Sequence, residues 1–91
     1  MKSILQDTKE CFECRTTQDL QDHHIFFGTA NRKQAEKYGL KVWLCMRHHT
    51  GSEGVHSDRE FDLKLKEMAQ AKFEETHSRE EFIKIFGRNY L

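Results

Sequence analysis

The sequence predicts an α+β fold in which a small stapled core is followed by two helices packed on it. Three observations carry that expectation. Cysteine and histidine fall in two pairs of equal spacing, Cys11-x-x-Cys14 and Cys45-x-x-His48. Two short β-rich runs flank a helix-forming stretch between those pairs, and residues 57–91 carry helical periodicity with a capping signal at each helix start. The chain has 91 residues and 36% hydrophobic content, which describes a single domain, 1–91, whose apolar core is marginal by itself.

The three cysteines cannot pair off completely as intramolecular disulfides, so a disulfide framework is a poor reading of the staple. Alone, Cys11-x-x-Cys14 reads equally as a half-buried pair, a redox pair or half of a metal site. The matching pair Cys45-x-x-His48 selects metal, because a two-residue gap lets one tight turn present two ligands. Structural zinc takes four ligands from thiolate sulfur and imidazole nitrogen in a tetrahedron. Cys11, Cys14, Cys45 and His48 supply such a closed set, and its binding free energy, on the order of 10 kcal/mol or more, compensates for the small core. A redox role is disfavoured by the lack of a surrounding βαβ pattern.

In chain order, residues 1–10 are polar, with Ile4 and Leu5 as anchors, and lead into the first zinc turn. Leu20 to Phe27 reads as a strand ended by Gly28. Ala30 to Tyr38 is rich in helix formers and closes on Gly39 as a glycine C-cap. Leu40 to Leu44, with Val42 and Trp43, makes a second strand that delivers the chain to Cys45. One helical turn spans Cys45 to Thr50, and the loop Gly51-Ser52-Glu53-Gly54 reverses the chain before Val55 and His56. A long helix capped by Ser57 or Asp58 follows, with Phe61, Leu65, Met68, Ala69 and Phe73 as its apolar stripe. Ser78-Arg79-Glu80-Glu81 matches a capping box for a shorter helix through Phe82, Ile83, Ile85 and Phe86, ended by Gly87. The zinc-braced core thus occupies residues 11–56 and a helical extension residues 57–91.

Five of the six histidines remain once His48 is assigned. His77, between the two C-terminal helices, reads as a solvated linker residue. His23, His24, His49 and His56 lie close to the zinc turns, which suggests a second, open metal site, since catalytic metals keep a position for water or substrate; they also read as exposed polar residues. The chain carries no net charge, which excludes a general polycation, yet charge is uneven. Between residues 31 and 50, Arg32, Lys33, Lys37, Lys41 and Arg47 face only Glu36. Lys37 and Lys41 read as solvated helix and strand charges, whereas Arg32, Lys33 and Arg47 are candidates for phosphate contact. Only Leu40 to Met46 approaches an apolar run, Lys41 interrupts it, and no targeting pattern opens the chain. These features predict a soluble, cytoplasmic protein without a membrane partner.

The ordered combination Cys11-x-x-Cys14, His23-His24-Ile25, Leu44-Cys45-x-x-His48-His49 and Gly54-Val55-His56 resembles the HNH endonucleases, and the stretch through Asn31-Arg32 to Phe86-Gly87-Arg88-Asn89-Tyr90-Leu91 is similar to short HNH proteins of bacterial prophages. The resemblance, strongest over residues 11–56, implies a ββα-metal fold braced by structural zinc. It implies DNA as the partner, phosphodiester hydrolysis as the reaction, and 5′-phosphate and 3′-hydroxyl ends as the products. His24 matches the general base that takes a proton from the attacking water; His23, His49 and His56 match the ligands of one catalytic divalent ion. An alternative register makes Asp22 the ligand and His23 the base. The family's asparagine, about five residues before the position of Cys45, is absent, and Asn31 either serves in its place or caps its helix. Three neutral imidazoles suit manganese, nickel, cobalt or zinc better than magnesium, and activity is expected to fall in acid as bases and ligands protonate. A monomer would nick, since one site cuts one strand, and sequence leaves monomer and homodimer both open. The competing expectation is a non-catalytic zinc-binding module for nucleic acid or protein.

Overall fold

The computed structural model of the chain describes residues 2–91. Two strands, β1 (Leu20–His24) and β2 (Lys41–Cys45), pair antiparallel in the register Leu20↔Cys45, Gln21↔Leu44, Asp22↔Trp43, His23↔Val42 and His24↔Lys41. Because side chains alternate along a strand, Gln21, His23, Val42 and Leu44 share one face, while Asp22, His24, Lys41 and Trp43 share the other. Val42, Leu44 and His23 are buried, which makes theirs the inner face. The free edge of β2 is covered by the N-terminal segment. Phe12 N–H donates to the Trp43 carbonyl at 2.8 Å, Trp43 N–H donates to Gln6 Oε1 at 2.9 Å, and Ser3 Oγ donates to the Lys41 carbonyl.

β1 stops at His24, short of the Phe27 end that its composition predicts. Ile25 and Phe26 are consecutive and both fully buried, which a strand with one inner face cannot accommodate, so the chain leaves the sheet there. Phe26 turns into an aromatic cluster with Phe82, Phe86 and Tyr90, at ring separations of 5.3, 4.6 and 5.5 Å. Phe27 points outward, 48% exposed. Helix α1 (Thr29–Tyr38) connects the strands and ends on Gly39 at φ 70°. A Cβ at Gly39 would lie 2.4 Å from the Lys2 carbonyl oxygen, so this position requires glycine for both its left-handed backbone and the close approach of the N-terminal segment.

Helix α2 (Met46–His49) is a single turn directly after β2. Helix α3 (Arg59–Phe73) is capped by Asp58, which accepts from Phe61 N–H, and α4 (Arg79–Phe86) by Ser78, which accepts from Glu81 N–H. The buried face of α3 is rotated from the expected stripe: Leu65, Ala69 and Phe73 are buried, but Met68 is exposed and Asp62, Lys66 and Gln70 are buried instead. These polar positions bond internally. Lys66 Nζ lies 2.9 Å from Asp62 Oδ2, and Gln70 holds the C-terminal tail through Asn89 Oδ1 and Tyr90 N–H, each at 2.7 Å. His77 is packed rather than solvated, stacked on Phe73 at 4.3 Å and edge-on to Tyr38 at 5.4 Å. Among the described residues, no helix is long and apolar enough to cross a membrane.

Candidate functional site

The loop of residues 11–14 and the β2–α2 junction meet, bringing Cys11, Cys14, Cys45 and His48 together with every ligand atom within 4.8 Å of the others. Cys14 Sγ to Cys45 Sγ is 3.7 Å, Cys11 Sγ to His48 Nδ1 is 3.7 Å, and Cys45 Sγ to His48 Nδ1 is 3.3 Å. A tetrahedron with ordinary zinc bond lengths has edges of roughly 3.6 to 3.8 Å, so the set is compatible with structural zinc. Its chemistry agrees. Burial alone would raise the Cys11 thiol, but the backbone N–H groups of Cys14, Cys45 and Glu13 outweigh it and hold its pKa at about 6. That leaves a thiolate at neutral pH, the form that binds metal. Burial and the neighbouring thiols push Cys45 up.

A second cluster forms on the inner face of the sheet. His23 from β1, His49 from α2 and His56 from the following loop place one ring nitrogen each within 4.8 Å of the others, and His49 Nε2 lies 3.3 Å from His56 Nε2. His49 Nδ1 donates to Gln21 Oε1, which leaves the Nε2 lone pair facing the cluster, an arrangement common behind metal-binding histidines. His23 is 3% exposed, and its Nε2 is buried without a hydrogen-bond partner among the described residues. Burial, together with His49 and His56, lowers the His23 pKa to about 3; burial and then His56 lower that of His49. Convergent ring nitrogens, one of them buried and orphaned, fit a divalent cation.

Gly54 makes this geometry possible. Val55 N–H donates to the His48 carbonyl and His56 N–H to the His49 carbonyl, folding the loop back against α2 so tightly that a Cβ at Gly54 would lie 2.5 Å from the His49 carbonyl oxygen. Gly54→Ala is therefore expected to displace His56 and to lower divalent-metal affinity at the histidine cluster by about tenfold or more, the scale of disturbing a ligand's support. One tightly held zinc should remain, measured by metal analysis alongside manganese titration.

His24 lies on the opposite face of β1. Its Nε2 is 3.0 Å from Glu36 Oε1 on α1, and it lines an open hollow with Phe27, Gly28, Thr29, Arg32, Lys33 and Glu36. The exposed Arg32 and Lys33 thus stand beside His24. Phe27 joins the hollow to the histidine cluster, with ring centroids 6.5 Å from His23 and 6.0 Å from His56. Arg47 does not share this hollow; it sits near Cys45 and pairs with Glu53. Asp22 is exposed, 3.4 Å from Lys41 Nζ and outside the cluster containing His23. Lys41 is not a free surface charge: its side chain is 15% exposed and its ammonium bridges Asp22 and Glu36. Burial would lower its pKa, but the two carboxylates more than reverse that. Asp22, His24 and Glu36 are close enough to form a third donor group, but the Lys41 ammonium already supplies its positive charge.

Gln21 and Glu36 are the partners that sequence reading missed. Period-2 alternation would have put Gln21 on the face of His23, whereas nothing local marks Glu36. No family model, curated protein or solved structure matches the chain.

Proposed function

We propose that the chain is a metal-dependent HNH endonuclease hydrolysing DNA phosphodiester bonds, with a ββα-metal core made by β1, β2 and α2. The observation that carries this reading is the second cluster. Cys11, Cys14, Cys45 and His48 suffice to brace the fold, and a non-catalytic binding module would have no task for three further imidazoles converging on one point. A divalent ion held by His23, His49 and His56 would supply Lewis-acid stabilisation to a phosphate oxygen and to the leaving 3′ oxygen. The imidazole set favours manganese, nickel, cobalt or zinc over magnesium.

His24 serves as the general base. Histidine is the side chain most often used to take up a proton in the transition state near neutral pH. It takes the proton of the water whose oxygen bonds to phosphorus, while the bond from phosphorus to the 3′ oxygen breaks and that oxygen is protonated from solvent. Arg32 and Lys33 hold the phosphate backbone beside His24, and Arg47 contacts it at a distance from the hydrolysed bond. Contacts of this kind orient without reading bases, so cleavage is expected to show little sequence preference and to fall steeply with salt.

His56→Ala tests the reading, because His56 is exposed and its loss leaves the core intact. Manganese affinity should fall about 100-fold or more, exceeding typical losses for outer-shell partners, and plasmid nicking should fall with it while one zinc is retained. Unchanged manganese affinity and unchanged nicking would contradict the assignment.

A further inference from the structure

The geometry points to Glu36 as the residue that positions His24, fixing which ring nitrogen receives the proton. This inference rests on the nuclease reading above and goes beyond it by assigning the proton-accepting atom. Glu36 Oε1 lies 3.0 Å from His24 Nε2, and both Glu36 oxygens lie 2.9 Å from Lys41 Nζ. The His24 side chain is only 10% exposed, so its ring is held in a defined environment. A carboxylate is an acceptor only. Its contact with Nε2 therefore selects the tautomer protonated at Nε2 and leaves the lone pair on Nδ1. Lys41, paired across the sheet with His24 in the strand register, anchors the carboxylate. Asn31, also on α1, makes no hydrogen bond to His24 among the described residues, so the inserted helix performs this task through a different side chain.

The proton is taken from water onto Nδ1 and later released to solvent, while Glu36 keeps the ring oriented and balances the imidazolium formed in between. In this role Glu36 acts through His24 and not on the substrate, so its removal should lower kcat rather than raise KM. Glu36→Gln preserves the shape but, in either amide orientation, sets an NH2 group against the Lys41 ammonium, so the arrangement loosens. Glu36→Asp keeps the charge.

The test combines nitrogen-15 NMR of the zinc-loaded full chain at neutral pH with plasmid cleavage in manganese. In the wild type His24 should be the Nε2–H tautomer. Glu36→Gln should lose that preference and about 100-fold in kcat, the scale of an impaired general base, with KM within about twofold and zinc and manganese binding unchanged; Glu36→Asp should recover kcat to within about tenfold of the wild type. A cleaving wild type with His24 protonated at Nδ1, or a Glu36→Gln chain with undiminished kcat, would overturn this role alone. A wild type that binds both metals and cleaves nothing would overturn the nuclease reading and this role together.

Discussion

Removing zinc is expected to unfold the chain. Cys11 and Cys45 are almost fully buried, at 0% and 6% exposure, and His48 at 8%; they join the loop of residues 11–14 to the sheet and to α2. Without the ion, three sulfurs and an imidazole would meet with no cation to hold them together. The binding free energy of structural zinc, on the order of 10 kcal/mol or more, is comparable with the entire stability of a small domain, about 5–15 kcal/mol. Chelation should therefore abolish the cooperative thermal transition followed by circular dichroism, and zinc should restore it. Cys11→Ser and Cys45→Ser should behave as the chelated chain does. Cys14 is exposed, so Cys14→Ser should be milder. A chain that melts cooperatively and at the same temperature with and without zinc would refute the staple.

His24→Ala is expected to reduce cleavage by about 10²- to 10⁴-fold, the usual contribution of a general base, while leaving zinc content and DNA binding in place. His24 is outside both the Cys3His set and the cluster of His23, His49 and His56, so its loss removes no proposed ligand. Arg32 and Lys33, which hold the backbone in this account, are untouched. The signature is a fall in kcat at constant KM. A rise in KM at constant kcat would instead make His24 a binding residue.

The Cys3His set was readable because ligand spacing is local: two gaps of two residues in one short chain announce two turns that can meet around one ion. The residues of the second cluster were readable as types, but their convergence depends on Gly54 folding the loop onto α2, a tertiary contact. Partner choice was less accessible. Glu36 meets His24 only because α1 returns across the sheet, a relation set by strand register and helix length together. On α3, Asp62 and Lys66 fall outside the expected apolar stripe yet are buried, with Lys66 Nζ paired to Asp62 Oδ2, a burial that hydrophobic periodicity does not anticipate. β1 was read too long for a related reason. Ile25, Phe26 and Phe27 look uniformly apolar, yet Phe26 leaves the sheet for the aromatic cluster of α4 and the C-terminal tail.

Conversion of supercoiled plasmid to open circles by the zinc-loaded wild-type chain, with and without added manganese, tests the central claim most directly. Metal-dependent nicking is expected, which EDTA added at the time of assay stops and His24→Ala largely loses. No conversion with manganese, nickel or cobalt by a folded chain shown to bind the second ion, or equal conversion by wild type and His24→Ala, would contradict it.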